Sequence, residues 1–265
     1  MIRVKTKNMN SEKIWVAYKT IVRAEVVRFF RIWSQTFLPP AITTTLYYVI
    51  FGTFIGSQIA PIGSFSYMQF IVPGLVMMAV ITSSFTNTVS SFFGAKFQRQ
   101  LEELLVAPVP PVVIVAGYVT GGVIRGLLTG VLVLIIALFF THITIFSWFS
   151  VLVFILLTSI MFSLLGLVTA IFAKNFDGVQ IIPNFVLTPL TYLGGVFYSI
   201  HMLSPFWQGV SRLNPILYMV NGFRYGFLGI SDVNVASSLT MLVLMSIALV
   251  AYTMHLFHTG RGLRH

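Results

Sequence analysis

Six long apolar segments alternate along the chain with shorter and more polar connections. Each segment has the roughly 20 apolar residues that a helix needs to cross the hydrocarbon of a bilayer. None contains Asp or Glu, and none shows the residue-by-residue alternation of a barrel strand. The segments cover residues 37–56, 70–93, 112–140, 148–173, 179–198 and 235–257. The pattern therefore predicts an all-α integral membrane protein with six transmembrane helices.

The composition supports this fold class. Of the 265 residues, 57% are hydrophobic and 8% are charged, whereas a soluble domain is about 45–50% apolar and about 25% charged. This balance excludes a water-soluble globule, and the 25 Phe residues exclude a disordered chain. The lack of cysteine excludes a disulfide framework, a thiolate metal site and a cysteine nucleophile.

The placement of Lys and Arg predicts the orientation in the membrane. Eight of the 16 basic residues precede the first apolar segment. With the N-terminus in the cytosol, the cytosolic segments carry thirteen basic residues and the external connections carry only Arg212 and Arg224. Because cytosolic loops of membrane proteins carry an excess of positive charge, we expect both termini in the cytosol.

Residues 11–34, before the first apolar segment, have the pattern of an amphipathic helix. Apolar residues recur there at spacings of three and four, interleaved with Lys and Arg. They are Trp15, Tyr18, Val22, Val26 and Phe29. We expect this helix in the cytosolic headgroup layer, either as a topology signal alone or as a mechanical elbow packed on the spans. Pro39 and Pro40 are expected to mark the turn into the first span.

The connection 94–110 between the second and third spans also has an amphipathic helical pattern. We expect a helix there with its ends at Gly94 and Pro108, and it either lies on the membrane or inserts into a groove on a partner protein. The acidic pair Glu102 and Glu103 favours a protein partner, because anionic lipid repels it. The candidate docking residues are Phe97, Arg99, Leu101, Glu102, Glu103 and Leu104.

The third predicted span combines glycines with one buried charge. Glycines four residues apart predict close contact with neighbouring helices. They are Gly117, Gly121, Gly122, Gly126 and Gly130. Arg125 lies about 20 Å into this helix at 1.5 Å per residue, and an intramembrane Arg is a functional candidate. It faces a watery cavity or an anionic substrate group, or else it bonds to terminal carbonyls of a neighbouring helix.

The last external connection, residues 199–233, is long and rich in aromatic residues, and Pro and Gly interrupt it. This pattern predicts two short helices that dip back toward the bilayer and cap an external exit. Backbone at that depth must be covered by protein. A simple loop on the membrane surface is the alternative.

The chain lacks the motifs that would power transport. It contains no G-x-x-x-x-G-K-[ST] phosphate loop, no H-E-x-x-H and no His cluster, so we expect no catalytic residue, metal or cofactor on this chain. The absence of acidic residues from the predicted spans disfavours a proton- or sodium-driven carrier. The energy is therefore expected from another chain. A secondary carrier, a channel and a membrane-embedded transferase are the alternatives.

Several ordered motifs resemble the ABC-2 type export permeases, in particular the YadH-type inner-membrane permeases. They are FIVPGL (70–75), SFFGAKF (91–97), EELLVAPVP (102–110), LTPLTYLGGVFY (187–198) and LNP (213–215) with Tyr218 and Arg224. The resemblance covers nearly the whole chain and implies one transmembrane domain, 1–265, in a bacterial inner membrane. It also implies a homodimer with two copies of a separate ABC ATP-binding subunit, which would hold ATP and Mg.

The same resemblance implies roles for three segments. Residues 94–108 would be the coupling helix, 11–34 the connecting helix and 199–233 the external re-entrant helices, with Pro215, Tyr218 and Arg224 as candidate gate residues. Substrates similar to those of the family would be lipids, glycoconjugates or hydrophobic drug-like molecules. The lack of a strongly charged lumen favours amphiphiles over free ions. ATP binding would move the docked coupling helices and switch the spans between two openings.

Overall fold

The computed structural model describes residues 10–59 and 61–262, and within these ranges the chain is helical, with one isolated β-bridge between Ile62 and Phe65. Arg3, Lys5, Lys7 and Arg264, which entered the charge count, lie outside the described residues. The helices in chain order are α1 (Ser11–Arg31), α2 (Trp33–Tyr47), α3 (Tyr67–Phe97), α4 (Gln100–Val106), α5 (Pro111–Ala137), α6 (Trp148–Phe172), α7 (Phe176–Ile181), α8 (Thr188–Leu193), α9 (Pro205–Arg212), α10 (Pro215–Leu228) and α11 (Val235–Thr259). A π-helix, Tyr48–Ile55, and a 3₁₀ turn, Gly56–Gln58, extend α2.

Five of the six predicted spans are confirmed as helices long and apolar enough to cross a membrane within the described residues. They are Trp33–Gln58, Tyr67–Phe97, Pro111–Ala137, Trp148–Phe172 and Val235–Thr259. The segment 179–198 differs, because α7, a π-helix over Ile182–Leu187 and α8 together end at Leu193. Pro183 and Pro189 each lack an N–H group and interrupt the α-helical hydrogen bonding there. A sixth span and the orientation of the termini remain predictions.

The helix α3 is the centre of the bundle. It contacts α5 and α6 most extensively and also packs on α10. Most of its side chains are buried, among them Phe70, Val76, Phe85 and Phe92. Neighbouring helices cover most of its surface, which explains why its sequence is largely apolar, and its buried polar residues, such as Asn87, lie in its C-terminal half.

The glycines of α5 allow three neighbouring helices to approach it. A Cβ at Gly121 would lie 2.6 Å from the Cβ of Glu25 on α1, and one at Gly117 would lie 2.6 Å from Ile21. On another face, a Cβ at Gly122 or Gly126 would meet serine and threonine hydroxyls of α3 and α6 within 2.5 Å. The predicted close contacts are confirmed, and α1 packs directly on a span, which favours the elbow interpretation.

The prediction for Pro39 and Pro40 is wrong. The chain turns at Ile32, where α1 ends and α2 begins, and both prolines lie inside α2. The Thr36 hydroxyl bridges the turn by donating to the carbonyls of Phe29 at 3.1 Å and Ile32 at 3.0 Å. This contact orders the junction without help from a proline. Inside α2, the prolines supply no N–H group to the carbonyls four residues earlier.

The predicted helix over 94–110 is divided into two pieces. Gly94 lies inside α3, which continues to Phe97, and Arg99 adopts a left-handed conformation with φ of 60°. The helix α4 then covers seven residues. The boundary expected at Gly94 is therefore wrong. An unbranched Arg forms the turn instead, in a region of φ that glycine usually occupies.

Candidate functional site

The helix α4 and the end of α3 form an exposed surface that is aromatic at one end and acidic at the other. Phe97 is 61% exposed and packs edge-on against Phe176, with ring centroids 5.1 Å apart. Phe93 contacts both rings from the interior side. Glu102, Glu103 and Arg99 are exposed. We call this surface the α4 face; it consists of Phe97, Arg99, Glu102, Glu103, Val106 and Phe176.

The expectation that Leu101 belongs to the docking surface is wrong. Leu101 is 2% exposed and lies in the main apolar core, and Leu104 is half-buried against that core. The left-handed turn at Arg99 reorients α4 so that these two leucines attach it to the bundle. Val106 and Phe176 are exposed in their place. Sequence reasoning missed Phe176 because it lies after α6, about 80 residues from Phe97.

The end of α3 is pinned to the end of α6 by Lys96. Its ammonium donates to the carbonyls of Ile171 at 2.6 Å and Ala173 at 3.3 Å. These carbonyls lie at the C-terminus of α6, where the helix leaves acceptors unpaired and the dipole favours a cation. A displacement of the α4 face therefore acts on α3 and α6 together.

A polar cluster attaches α1 to α3. Glu25 is buried, and its carboxylate accepts from Asn87 Nδ2 at 3.1 Å and from the Ser91 hydroxyl. Arg28 donates to Glu25 Oε2 at 3.0 Å and to Asn87 Oδ1 at 2.9 Å. The Tyr18 hydroxyl is 2.9 Å from that of Thr120 on α5. We call Glu25, Arg28, Asn87 and Ser91 the α1 latch. Sequence reasoning missed this cluster, because it considered only the apolar and basic residues of this helix.

Arg125 faces a cavity of about 330 Å³ between α2, α3 and α5. Its guanidinium makes no hydrogen bond to any described residue, and Nε is buried without a partner. The structure therefore favours the predicted cavity over bonding to the carbonyls of a neighbouring helix. The cavity is lined from α2 by Gln35, Thr36, Pro39, Pro40, Thr43, Thr44 and Tyr47, and from α3 by Leu75, Met78, Ala79, Thr82, Ser83 and Thr86.

The helices α9 and α10 confirm the two short helices predicted for residues 199–233, and α10 is inserted between α3, α6 and α11. Pro215 begins α10, and the Tyr218 hydroxyl donates to the carbonyl of Arg212 at 2.8 Å. Asp232 accepts from the Ser199 hydroxyl at 2.7 Å and from the Ile200 N–H at 3.0 Å. The two ends of this region are thereby held together.

Arg224 is buried in α10, although the charge count placed it in an external loop. It is 1% exposed. Its guanidinium donates to the carbonyls of Gly195 at 2.6 Å and Phe70 at 3.3 Å, and lies 3.8 Å from the centre of the Phe70 ring. A Cβ at Gly74 would lie 2.5 Å from the carbonyl oxygen of Val196. The small Gly74 thus lets the turn after α8 approach α3, within reach of Arg224.

The described part of the chain contains no cluster of side chains suited to binding a metal ion. No group of three His, Asp or Glu residues lies close enough to hold an ion among residues 10–59 and 61–262. The predicted site residues lie in three separate regions: the α4 face at one end of α3, the cavity beside Arg125, and the α10 region. The arrangement is suited to transmitting movement and enclosing a molecule.

Comparison with known proteins agrees with this arrangement. Residues 16–228 match the family model for the ABC-2 type transporter. The chain is 58% identical over 250 residues to a protein of Escherichia coli strain K12 named inner membrane transport permease YadH, covering 94% of this chain and 98% of that protein. It is 25% identical over 231 residues to nodulation protein J of Neorhizobium galegae, covering 86% and 87% respectively.

Proposed function

This chain belongs to the ABC-2 type transporter family, and on that premise we propose that it is the permease subunit of an ATP-driven exporter. It is a multi-pass transport permease of the inner membrane. In the proposed complex, two copies of the chain join two copies of an ABC ATP-binding subunit. ATP and Mg bind the ATPase subunits, and this chain carries no cofactor. The substrate is a lipid, a glycoconjugate or a hydrophobic drug-like molecule.

The α4 face is the observation that supports an ATPase partner. It presents exposed aromatic rings beside an acidic pair, whereas the predicted cytosolic segments are otherwise basic. Large exposed apolar groups bordered by charge are typical of protein-binding surfaces. Leu101 and Leu104 attach this surface firmly to the bundle, so a bound ATPase would move the spans and not merely α4.

Movement of the α4 face reaches the membrane interior through α3. This helix has 31 residues and is about 46 Å long at 1.5 Å per residue. Lys96 ties its end to α6, and the α1 latch ties its C-terminal half to α1. Closure of the two ATPases would therefore shift α1, α3 and α6 as one unit and open the cavity to one side and then to the other.

The α9–α10 region supplies the external gate in this scheme. Pro215, Tyr218 and Arg224 join α10 to α9 and to the turn after α8. Arg224 anchors the gate to α3 through the Phe70 carbonyl. The gate is therefore expected to move with α3 when the ATPases close.

Charge reversal on the α4 face tests the partnership. We expect Glu102→Lys with Glu103→Lys to remove most of the ABC ATPase that co-purifies with the permease, because both carboxylates are exposed on this face. The matched control is Glu12→Lys, which reverses an exposed carboxylate at the start of α1. Membrane insertion and thermal stability should match the wild type in both variants. Unchanged co-purification in the double variant would contradict the proposed docking role.

A secondary carrier or channel is the alternative function. Glu25 is the one acidic side chain that is buried in the described ranges, and a buried acid is a feature of proton-driven carriers. However, its carboxylate is paired with Arg28 and accepts from Asn87 and Ser91, and Glu25 is not among the residues that line the cavity. Proton-driven uptake by the purified permease without an ATPase would favour this alternative.

A further inference from the structure

We propose that the cavity beside Arg125 binds the anionic head of an amphiphile, with Arg125 as its charged contact and the apolar chain lying along α2. The ligand class is a phosphate- or carboxylate-bearing lipid or a lipid-linked molecule. This inference rests on the proposed export function, since it names the class of molecule that the permease moves. Arg125, the cavity lining and the surface of α2 each support it.

Arg125 is a cation without a counter-charge of its own. It lies 14 residues after Pro111, about 21 Å along α5. The charged groups that act on it are Glu25 and Arg28 of the α1 latch, and these two are paired with each other at 3.0 Å. The group of three therefore carries one unmatched positive charge. A cation at this depth is costly unless an anion or water accompanies it.

The cavity lining offers further polar groups that the protein itself does not use. The hydroxyls of Thr36 and Thr82 donate to backbone carbonyls. Four other hydroxyls on the lining make no hydrogen bond within the described part of the chain. They belong to Thr43, Thr44, Ser83 and Thr86. Hydroxyls donate readily to phosphate and carboxylate oxygens, so the lining as a whole complements an anion.

The same cavity also has an apolar wall on α3 and opens beside α2, which has several exposed apolar side chains. Leu75, Met78 and Ala79 form its apolar wall. Most side chains of α2 are unburied, and Leu38, Ile42 and Leu46 are among its exposed residues. A volume of about 330 Å³ is at the small end of ligand pockets. It fits a headgroup but not acyl chains, which would remain against α2.

The position in the bilayer agrees with entry from the cytosolic leaflet. The lining residues of α2 from Gln35 to Thr44 lie in the first half of the span Trp33–Gln58, and Tyr47 lies just past its middle. With the predicted cytosolic N-terminus, the first half of α2 belongs to the cytosolic leaflet, and Arg125, near the middle of α5, lies at the deeper end of the cavity. An exporter of an amphiphile made in the cytosol needs its first binding site there.

The test measures lipid binding by the full-length permease in nanodiscs of phosphatidylcholine. Oleoyl lysophosphatidic acid is the anionic probe, oleoyl lysophosphatidylcholine is the matched probe without net charge, and inorganic phosphate is the free anion. Native mass spectrometry gives the bound fraction. We expect the anionic lipid to bind at least tenfold more tightly than the zwitterionic one, and phosphate to compete only at far higher concentrations.

Two variants locate the site. Arg125→Gln should reduce the affinity for lysophosphatidic acid at least tenfold, whereas Arg212→Gln, which removes an exposed cation far from the cavity lining, should leave it unchanged. Ala79→Leu keeps Arg125 but fills part of the cavity, and should also weaken binding. Circular dichroism and thermal unfolding identify any variant that fails to fold. If Arg125→Gln misfolds, Ala79→Leu and Arg125→Lys carry the test.

Three results would overturn the inference. The first is equal affinity of the wild type for the two lysolipids. The second is an equal loss of affinity for lysophosphatidic acid in Arg125→Gln and Arg212→Gln. The third is wild-type affinity in the folded Arg125→Gln and Ala79→Leu variants. Effective competition by inorganic phosphate would assign the cavity to soluble anions instead. Binding needs no ATPase, so a permease that binds the lipid but recruits no ATPase would refute the proposed function and leave this site intact. A permease that recruits the ATPase but does not bind the lipid would refute this site and leave the proposed function intact.

Discussion

Arg125 and Arg224 are both arginines inside the helical bundle, but their surroundings differ in kind. Arg224 is fully enclosed, donates to the carbonyls of Gly195 and Phe70, and lies over an aromatic ring. Arg125 makes no hydrogen bond to a described residue and faces a cavity. The first joins three parts of the backbone and leaves only Nη1 without a partner, whereas the second makes no side-chain hydrogen bond within the described residues. This contrast indicates a structural role for Arg224 and supports the binding role proposed for Arg125.

The Arg28–Glu25 pair of the α1 latch is an intermediate case. Its charges are matched, and its amide and hydroxyl partners come from α3. However, it joins an amphipathic helix to the bundle and not two segments of the core. The three arginines therefore differ in how far the protein supplies their partners. The following four variants test this difference, in decreasing order of expected effect on stability.

Arg224→Met should cause the largest loss of stability. It leaves the Gly195 carbonyl and its neighbours without their charged donor in a place that water does not reach, and each hydrogen bond to a charged group is worth about 1.5–3 kcal/mol. We expect a total loss of about 3 kcal/mol or more, measured as a lower Tm in detergent and a lower yield. Arg212→Met, at an exposed cation, is the control and should change little. Equal behaviour of the two variants would remove the structural role of Arg224.

Glu25→Gln should have an intermediate effect. The substitution keeps the size of the side chain but leaves Arg28 without its counter-charge, and we expect a loss of about 1–3 kcal/mol. The expected measurement is a lower Tm together with earlier proteolysis of α1 in limited digestion. Glu12→Gln, at an exposed acid of the same helix, is the matched control. If the two variants digest at the same rate, the latch does not hold α1.

Gly121→Ala should have a smaller effect by pushing α1 away without removing a charge. The new Cβ would lie 2.6 Å from Glu25 Cβ and 2.8 Å from Cγ, so α1 has to shift. Overpacking of this kind costs about 1–3 kcal/mol, and partial movement of α1 keeps the loss near the lower limit. In Gly94→Ala the new Cβ meets no atom within 4 Å, so thermal unfolding should be unchanged or slightly improved. If Gly121→Ala does not lower the Tm, α1 is loosely packed at this position.

Arg125→Met should have the smallest effect and the opposite sign. An internal cation without a counter-charge is costly to bury, so we expect its replacement by an apolar side chain to leave Tm unchanged or to raise it slightly. The comparison with Arg224→Met in the same detergent is the measurement. A fall in Tm as large as that of Arg224→Met would show that Arg125 is also a structural residue, and the contrast between the two would disappear.

Sequence reasoning was correct for features that depend on residues close together along the chain. Five apolar segments became helices of the expected kind, because the length of a span depends only on consecutive side chains and on the bilayer. The α5 glycines also met the expectation, since a four-residue spacing places them on shared faces of one helix. Rules based on nearby residues predicted the ends of helices less reliably. Pro39 and Pro40 lie within α2, and a non-glycine residue, Arg99, forms the left-handed turn before α4.

The sequence by itself determined that this chain is a helical membrane protein, which segments are apolar enough to span, and the family to which it belongs. Only the tertiary structure decided what each buried charge does. Arg224 contacts Phe70, which is 154 residues away, and Asn87 donates to Glu25 across 62 residues. The free energy of a buried charge depends on partners that the fold brings to it, and the order of residues along one segment contains no information about those partners.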